Sequence, residues 1–264
     1  MIYREVALPD SLRLVALCGW LFTLEQDDPP VVVHSSPPDG TTNLLLTRSP
    51  EGGLHPQIVQ PSLTAMTIPV ARGFTYAGLR LRPEAAAGVT GEPPRIGPPK
   101  PLPAGGPFAG LWLDLADLMN DRTSWARTAA ALEAFPPTDR AVSLAVDLLI
   151  ASGGATAVAD LAARLGLSER QFRRRFHAAT GISPKQYAAV QRVRRALILS
   201  LAEANWADIA YEAGFADQPH LARDIKERFG AAPGRVGGYL GGIRHEFVTP
   251  ALDRFVQDPR ADAA

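Results

Sequence analysis

Between residues 161 and 195 the chain carries nine basic side chains against one acid, Glu169. Guanidinium groups at that density suit pairing with phosphate oxygens and bidentate donation to the O6 and N7 acceptors of guanine. At about 100° per residue, Arg170, Arg173, Arg174 and His177 share one stripe of a helix whose other side carries Phe172 and Phe176. The rest of the sequence offers little for covalent or metal chemistry. Its single cysteine, Cys18, excludes an internal disulfide framework and a cysteine-rich zinc site. Cys18 sits in an apolar run with Leu17, Trp20 and Leu21 and is expected to be buried. His34 and His55 are too few for a multi-histidine metal centre and are expected at the surface or in hydrogen bonds. No Ser/His/Asp or Cys/His constellation is evident, so neither an enzyme nor a resident cofactor is expected.

The elements that must hold the basic stripe are legible. Val158, Leu161, Ala162 and Leu165 repeat at helical spacing, and Gly166 is placed to end that helix. Ser168 and Gln171 form a capping box for the next helix, which Gly181 ends. Helix, glycine turn and capped helix together predict a helix-turn-helix, whose second helix enters a major groove. The pattern recurs. Asn205 is placed to cap Trp206–Ala213, Gly214 ends it, and Asp217 caps a helix with Pro219 in its first turn. Leu221, Ile225 and Phe229 form its apolar side, with His220 and Arg223 pointing away. Between the units the spacing predicts a helix over Pro184–Glu203, capped by Ser183 with Gln186 at N3. Twenty residues span roughly 30 Å, close to one DNA turn.

The 27 basic and 27 acidic side chains of the 264-residue chain sum to zero, which by itself argues against a nucleic-acid partner. The sum hides a distribution. Residues 1–137 hold 10 basic and 13 acidic groups, residues 138–240 hold 14 and 10, and residues 241–264 hold 3 and 4. Within the helical part the excess is concentrated in 161–195, whereas residues 196–240 hold 4 basic and 6 acidic groups. Asp208, Glu212, Asp217, Asp224 and Glu227 are expected to repel phosphates around the second unit, so the first should supply most of the affinity.

Seventeen of the 24 prolines fall in residues 1–107, a part expected to consist of short strands and turns. Candidate strands are Leu12–Thr23, Pro30–His34, Asn43–Thr47, Ala65–Pro69 and Phe74–Leu81, and Gly91–Pro107 reads as a loop. One or two helices follow from Leu111 to Phe135, packing on the β-rich part or joining subunits, and Pro136-Pro137 breaks the chain. The expected fold class is therefore α+β. A small β-barrel or sandwich occupies residues 1–107, a helical segment and linker 108–137, an all-α DNA-binding domain 138–240, and a partly disordered tail 241–264 with a short helix near Thr249–Val256. No apolar run reaches the length of a membrane span, and the N-terminus lacks a basic region and a cleavage site. A cytoplasmic protein without membrane contact is expected.

Residues 138–240 resemble the double helix-turn-helix domain of the AraC/XylS family of bacterial transcription regulators. The resemblance is carried by Leu165-Gly166-Leu167-Ser168, Arg170, Phe172, Arg174, Phe176, Gly181-Ile182-Ser183-Pro184, Ile209-Ala210, Ala213-Gly214-Phe215, Asp217, Phe229-Gly230 and Pro233. Ile225, Asp224 and Ala232 depart from the family's pattern. The resemblance implies base-reading by Arg170, Arg173 and Arg174 in the first unit and by Gln218, His220 and Arg223 in the second. Ser168, Gln171, Arg175, Lys185, Arg192, Arg194 and Lys226 are left as phosphate contacts, and Arg195 as a structural pair within the domain. Residues 1–107 resemble the β-rich, often cupin-like sensor half of such regulators. Trp20, Phe74, Tyr76, Arg80 and Arg82 are its candidates for holding an effector. The implied partner is double-stranded promoter DNA; RNA polymerase, a small-molecule or protein effector and a second copy of the chain are further partners that the reading allows. Two other readings stay open: a ligand-independent DNA-binding or partner-assembly protein, and an enzyme with a catalytic β-barrel.

Overall fold

In a computed structural model, residues 1–122, 124–132, 138–202 and 205–246 are described. The N-terminal half contains β1 (Ile2–Val6), β2 (Ala16–Thr23), β3 (Val31–Ser36), β4 (Asn43–Arg48), β5 (Leu54–Val59), β6 (Met66–Ala71), β7 (Thr75–Leu81), a short helix α1 (Ala86–Thr90) and β8 (Lys100–Pro101). Helices α2 (Ala109–Leu118), α3 (Ala126–Leu132), α4 (Arg140–Ala151), α5 (Val158–Arg164), α6 (Glu169–Thr180), α7 (Pro184–Leu199), α8 (Trp206–Glu212), α9 (Gln218–Phe229) and α10 (Pro233–Gly241) follow, and β9 (Arg244–Glu246) comes after them.

The α+β class holds, with one correction: the β-part is not a closed barrel. It is an open seven-stranded sheet of order β8-β5-β4-β7-β2-β1-β9, with a separate two-stranded sheet β3-β6. The expected first strand is shorter than its sequence run because Asp10–Leu12 is a 3-10 turn. β1, β5, β8 and β9 were not expected as strands. Pro56 lies in β5 opposite Leu46, and Pro101 in the edge strand β8, where a missing amide is tolerated.

One face of the sheet carries Leu44, Leu46, Ala77, Leu79 and Leu81, all essentially inaccessible, under Leu111, Trp112, Leu115 and Leu118 of α2. The apolar stripe of α2 is thus spent on the sheet. Asp114 of α2 is buried and accepts from the amide and hydroxyl of Thr128, both at 2.8 Å, which fixes α3 beside it. On the opposite face Trp20 lies flat over Gly78, its cross-strand partner; a Cβ there would stand 2.4 Å from the indole.

The last strand corrects the expected boundaries. Residues 241–246 do not begin a loose tail, because β9 pairs in parallel with β1 at the sheet edge, Ile2 opposite Arg244 and Tyr3 opposite His245. The chain thus returns, after the whole helical part, to the sheet on which it started. The helix expected near Thr249–Val256 and the Pro136-Pro137 break lie outside the described residues.

Candidate nucleic-acid interface

The first helix-turn-helix is built as its sequence dictates. Gly166 at the end of α5 and Gly181 at the end of α6 both take positive φ, 65° and 74°. The Gln171 amide donates to Ser168 Oγ at 3.3 Å and the Ser168 amide to Gln171 Oε1 at 3.0 Å, completing the capping box. Phe172 and Phe176 are fully buried, edge to face at 5.7 Å, and Phe176 meets Tyr187 of α7 at 5.9 Å. Burying that side of α6 turns the other outward, and Arg170, Arg173, Arg174 and His177 are all exposed. Arg173 is bonded to Glu169 one turn earlier at 2.7 Å. Among the described residues no ion pair or hydrogen bond engages Arg170 or Arg174, so two guanidiniums on one stripe are uncommitted.

Several phosphate candidates have other work in this fold. Ser168 and Gln171 are engaged with each other in the cap. Arg175 forms a two-bond pair with Asp139 at 2.8 and 2.7 Å, and Asp139 caps α4 through the Ala141 amide. Donation by Arg175 holds the Asp139 carboxyl below its usual range. The cause is helical phase: position 175 falls between the buried and outward stripes of α6 and reaches back to α4.

α7 is shorter than expected. It ends at Leu199, so its sixteen residues span about 24 Å; Glu203, the expected end, lies outside the described residues. Its Ser183–Gln186 capping box forms as expected, with Lys185 exposed in the first turn. Arg192, expected at the DNA backbone, lies over the Phe215 ring at 5.6 Å and joins α7 to the second unit. Arg194, expected there too, faces a cavity beside the sheet. Arg195 reaches the Ser152 carbonyl at 3.5 Å, a contact within the domain.

In the second unit the Asn205 side chain accepts from the Ala207 amide and Asp217 from the His220 amide, fixing the starts of α8 and α9. Gln218, Arg223 and Lys226 are exposed on α9, while His220 is half-buried, edge-on to Phe215 at 5.3 Å. Asp224 does not present a bare carboxylate. It is bonded to Arg228 at 3.0 Å, and Arg228 also donates to the Leu63 carbonyl at 2.8 Å.

Of the five effector candidates, Trp20, Tyr76 and Arg80 converge on the cavity that Arg194 faces. Phe74 stacks on Tyr76 at 6.5 Å. Arg82 is not a partner of Arg80 on that face. It is bonded to Glu84 and Asp147, both at 2.7 Å, and ties the end of β7 to α4. Glu5, His34 and Arg194 were missed as cavity residues, since nothing local in the sequence marks residues so far apart as neighbours. Cys18 is buried as expected, and burial pushes its thiol up to about 12. His55 is exposed, whereas the His34 ring bonds the Tyr239 hydroxyl at 2.7 Å. Among the described residues no group of three or more potential ligands is placed to hold a metal, and no helix is long and apolar enough to cross a membrane.

Residues 161–237 match the family model described as a helix-turn-helix domain. The described architecture is similar to that of ToxT from Vibrio cholerae, at 9% identity over 83% of this chain and 97% of that one, with a TM-score of 0.49. It is also similar to the C-terminal domain of AraT, a response regulator from Geobacillus stearothermophilus, at 21% identity over 38% of this chain and 86% of that one, with a TM-score of 0.36. No curated protein matches the chain.

Proposed function

We infer that this chain, whose C-terminal part is an AraC-type helix-turn-helix domain, is a sequence-specific DNA-binding transcription regulator that places α6 and α9 in two successive major-groove segments. The observation that carries the reading is the outward stripe of α6. Its backbone is fixed by two capping interactions and two buried phenylalanines, and it presents Arg170 and Arg174 without internal partners. A guanidinium held on a rigid helix gains bidentate contact with a guanine edge at little entropic cost. Arg173 joins it when its exposed pair with Glu169, worth at most a fraction of a kcal/mol, gives way. α9 adds Gln218 and Arg223, with Lys226 at the backbone.

The β-rich half, in this reading, adjusts DNA binding in response to a small molecule. Selection from a pool of random-sequence duplexes, followed by footprinting of the enriched site, tests the reading. Protection over about two helical turns on one face is expected; a pool that enriches no sequence overturns it.

A further inference from the structure

The two reading units have separate cores. Phe172 and Phe176 of α6 pack with Tyr187 and Ala188 in the first half of α7. Leu221 and Ile225 of α9 pack with Val193, Ala196 and Leu197 further along the same helix, and with Phe22 and Val70 of the sheets. α7 thus belongs to both units and joins them. One helical joint sets their distance but leaves bending and twisting at its ends.

A second connection does not use α7. The 62–65 segment, between β5 and β6, touches both units within three residues. The Leu63 side chain packs on the core of the first unit. The Leu63 carbonyl accepts from the Arg228 guanidinium in the last turn of α9 at 2.8 Å. The Ala65 amide donates to the Arg228 carbonyl, also at 2.8 Å. The segment is itself held. The Ser62 hydroxyl accepts from the Thr64 amide at 3.2 Å, and the Ser62 carbonyl from the Gly40 amide at 3.3 Å. Gly40 has a φ of 65°, and a Cβ there would stand 3.1 Å from the Tyr187 ring, so this turn rests on α7 in its own right.

Arg228 is not spare charge for phosphates. Its side chain is 11% exposed, and it is bonded at 3.0 Å to Asp224, which is 13% exposed. Asp224 thereby has a role on a reading helix where an acid would otherwise repel DNA: it orients Arg228 towards Leu63. Two connections between two bodies close a ring, and neither unit can then swing without breaking one of them.

We propose, resting on the two-groove reading above, that the 62–65 segment and Arg228 form a staple that fixes α9 relative to α6 and so determines which half-site spacing the chain accepts. Arg228 and Leu63 are positioning residues in this arrangement, and neither touches DNA. One added base pair moves the second half-site by about 3.4 Å and turns it by about 35°. Units held as one body cannot follow, and losing a single bidentate base contact costs about tenfold in affinity. Units joined by α7 alone can follow in part.

The test uses the full chain at fixed salt. Affinity is measured for the selected duplex, for the same duplex with one base pair inserted or removed between its halves, and for duplexes with either half scrambled. The parent chain is expected to lose about tenfold or more for each change of spacing. Leu63→Ala and Arg228→Gln should each lose less than about threefold, with affinity for the single halves unchanged. The double variant should be no more tolerant than either single one, because both substitutions cut the same connection. A parent that accepts all spacings equally overturns the staple. So does a spacing penalty that survives in Leu63→Ala, which leaves α9 and the backbone bonds of the segment in place. Losses that fall equally on every duplex, single halves included, would show damage to a reading unit in place of a change in spacing, and overturn it as well. A pool that enriches no duplex sinks the DNA-binding reading and the staple together, whereas an enriched site whose spacing penalty survives both substitutions sinks the staple alone.

Discussion

At the residue scale, charge alone does not tell what an arginine does. Arg170, Arg174, Arg175, Arg192 and Arg194 all belong to one basic segment. The fold leaves Arg170 and Arg174 outward, gives Arg175 to Asp139, lays Arg192 on Phe215 and turns Arg194 to the cavity. Arg170→Ala or Arg174→Ala should therefore cost about 1–3 kcal/mol of specific binding. Arg223→Ala should cost less, because α9 sits in the acidic part of the domain. Equal losses in a salt-controlled titration would contradict that order. Arg175→Ala should instead lower the melting temperature and leave the salt slope of DNA binding unchanged. Cys18 gives a second residue-scale prediction. Burial holds its thiol near 12, so the thiolate is scarce at neutral pH, and the folded chain should react with Ellman's reagent only as fast as it unfolds.

At the element scale, stability should follow the caps and the aromatic faces. Ser168→Ala removes the acceptor for the Gln171 amide and should destabilise the first unit by about 1 kcal/mol in a denaturant titration. Phe176→Ala, at a fully buried position packed against Phe172 and Tyr187, should cost about 3–5 kcal/mol. These elements were readable because capping boxes, glycine stops and helical apolar spacing are local. Ser168, Gln171, Gly181, Ser183 and Gln186 act within one or two turns of themselves. The strands were less legible. Leu54–Val59 contains Pro56, and Arg244–Glu246 is three polar residues that extend along the edge of β1.

At the scale of the whole molecule, the two halves share a core and a polar seam, and the seam carries a pH dependence. Burial lowers the His34 imidazole to about 4 from an ordinary 6.5, so the unfolded chain binds its proton more readily than the folded one. Stability from this group is therefore complete above about pH 6.5 and is lost as pH falls towards 4, a contribution of up to about 3 kcal/mol. Burial also lowers His245, which acts in the same direction. Melting temperatures between pH 7 and 4 should fall less steeply in His34→Gln than in the parent chain. An identical slope would show that the seam does not set the acid response.

The sequence by itself determined the two helix-turn-helix units, their caps, their buried faces and the asymmetry of charge hidden in a neutral total. Each of these is written in residues a few positions apart, where helix geometry converts spacing directly into direction. The tertiary structure alone decided that the β-part is an open sheet, that β9 closes its edge beside β1, and that Arg194 meets Trp20 and Tyr76 across a cavity. Those outcomes join residues from about ten to more than two hundred positions apart. Their pairing depends on which edge, face or space the rest of the fold leaves unfilled, and no local pattern encodes that.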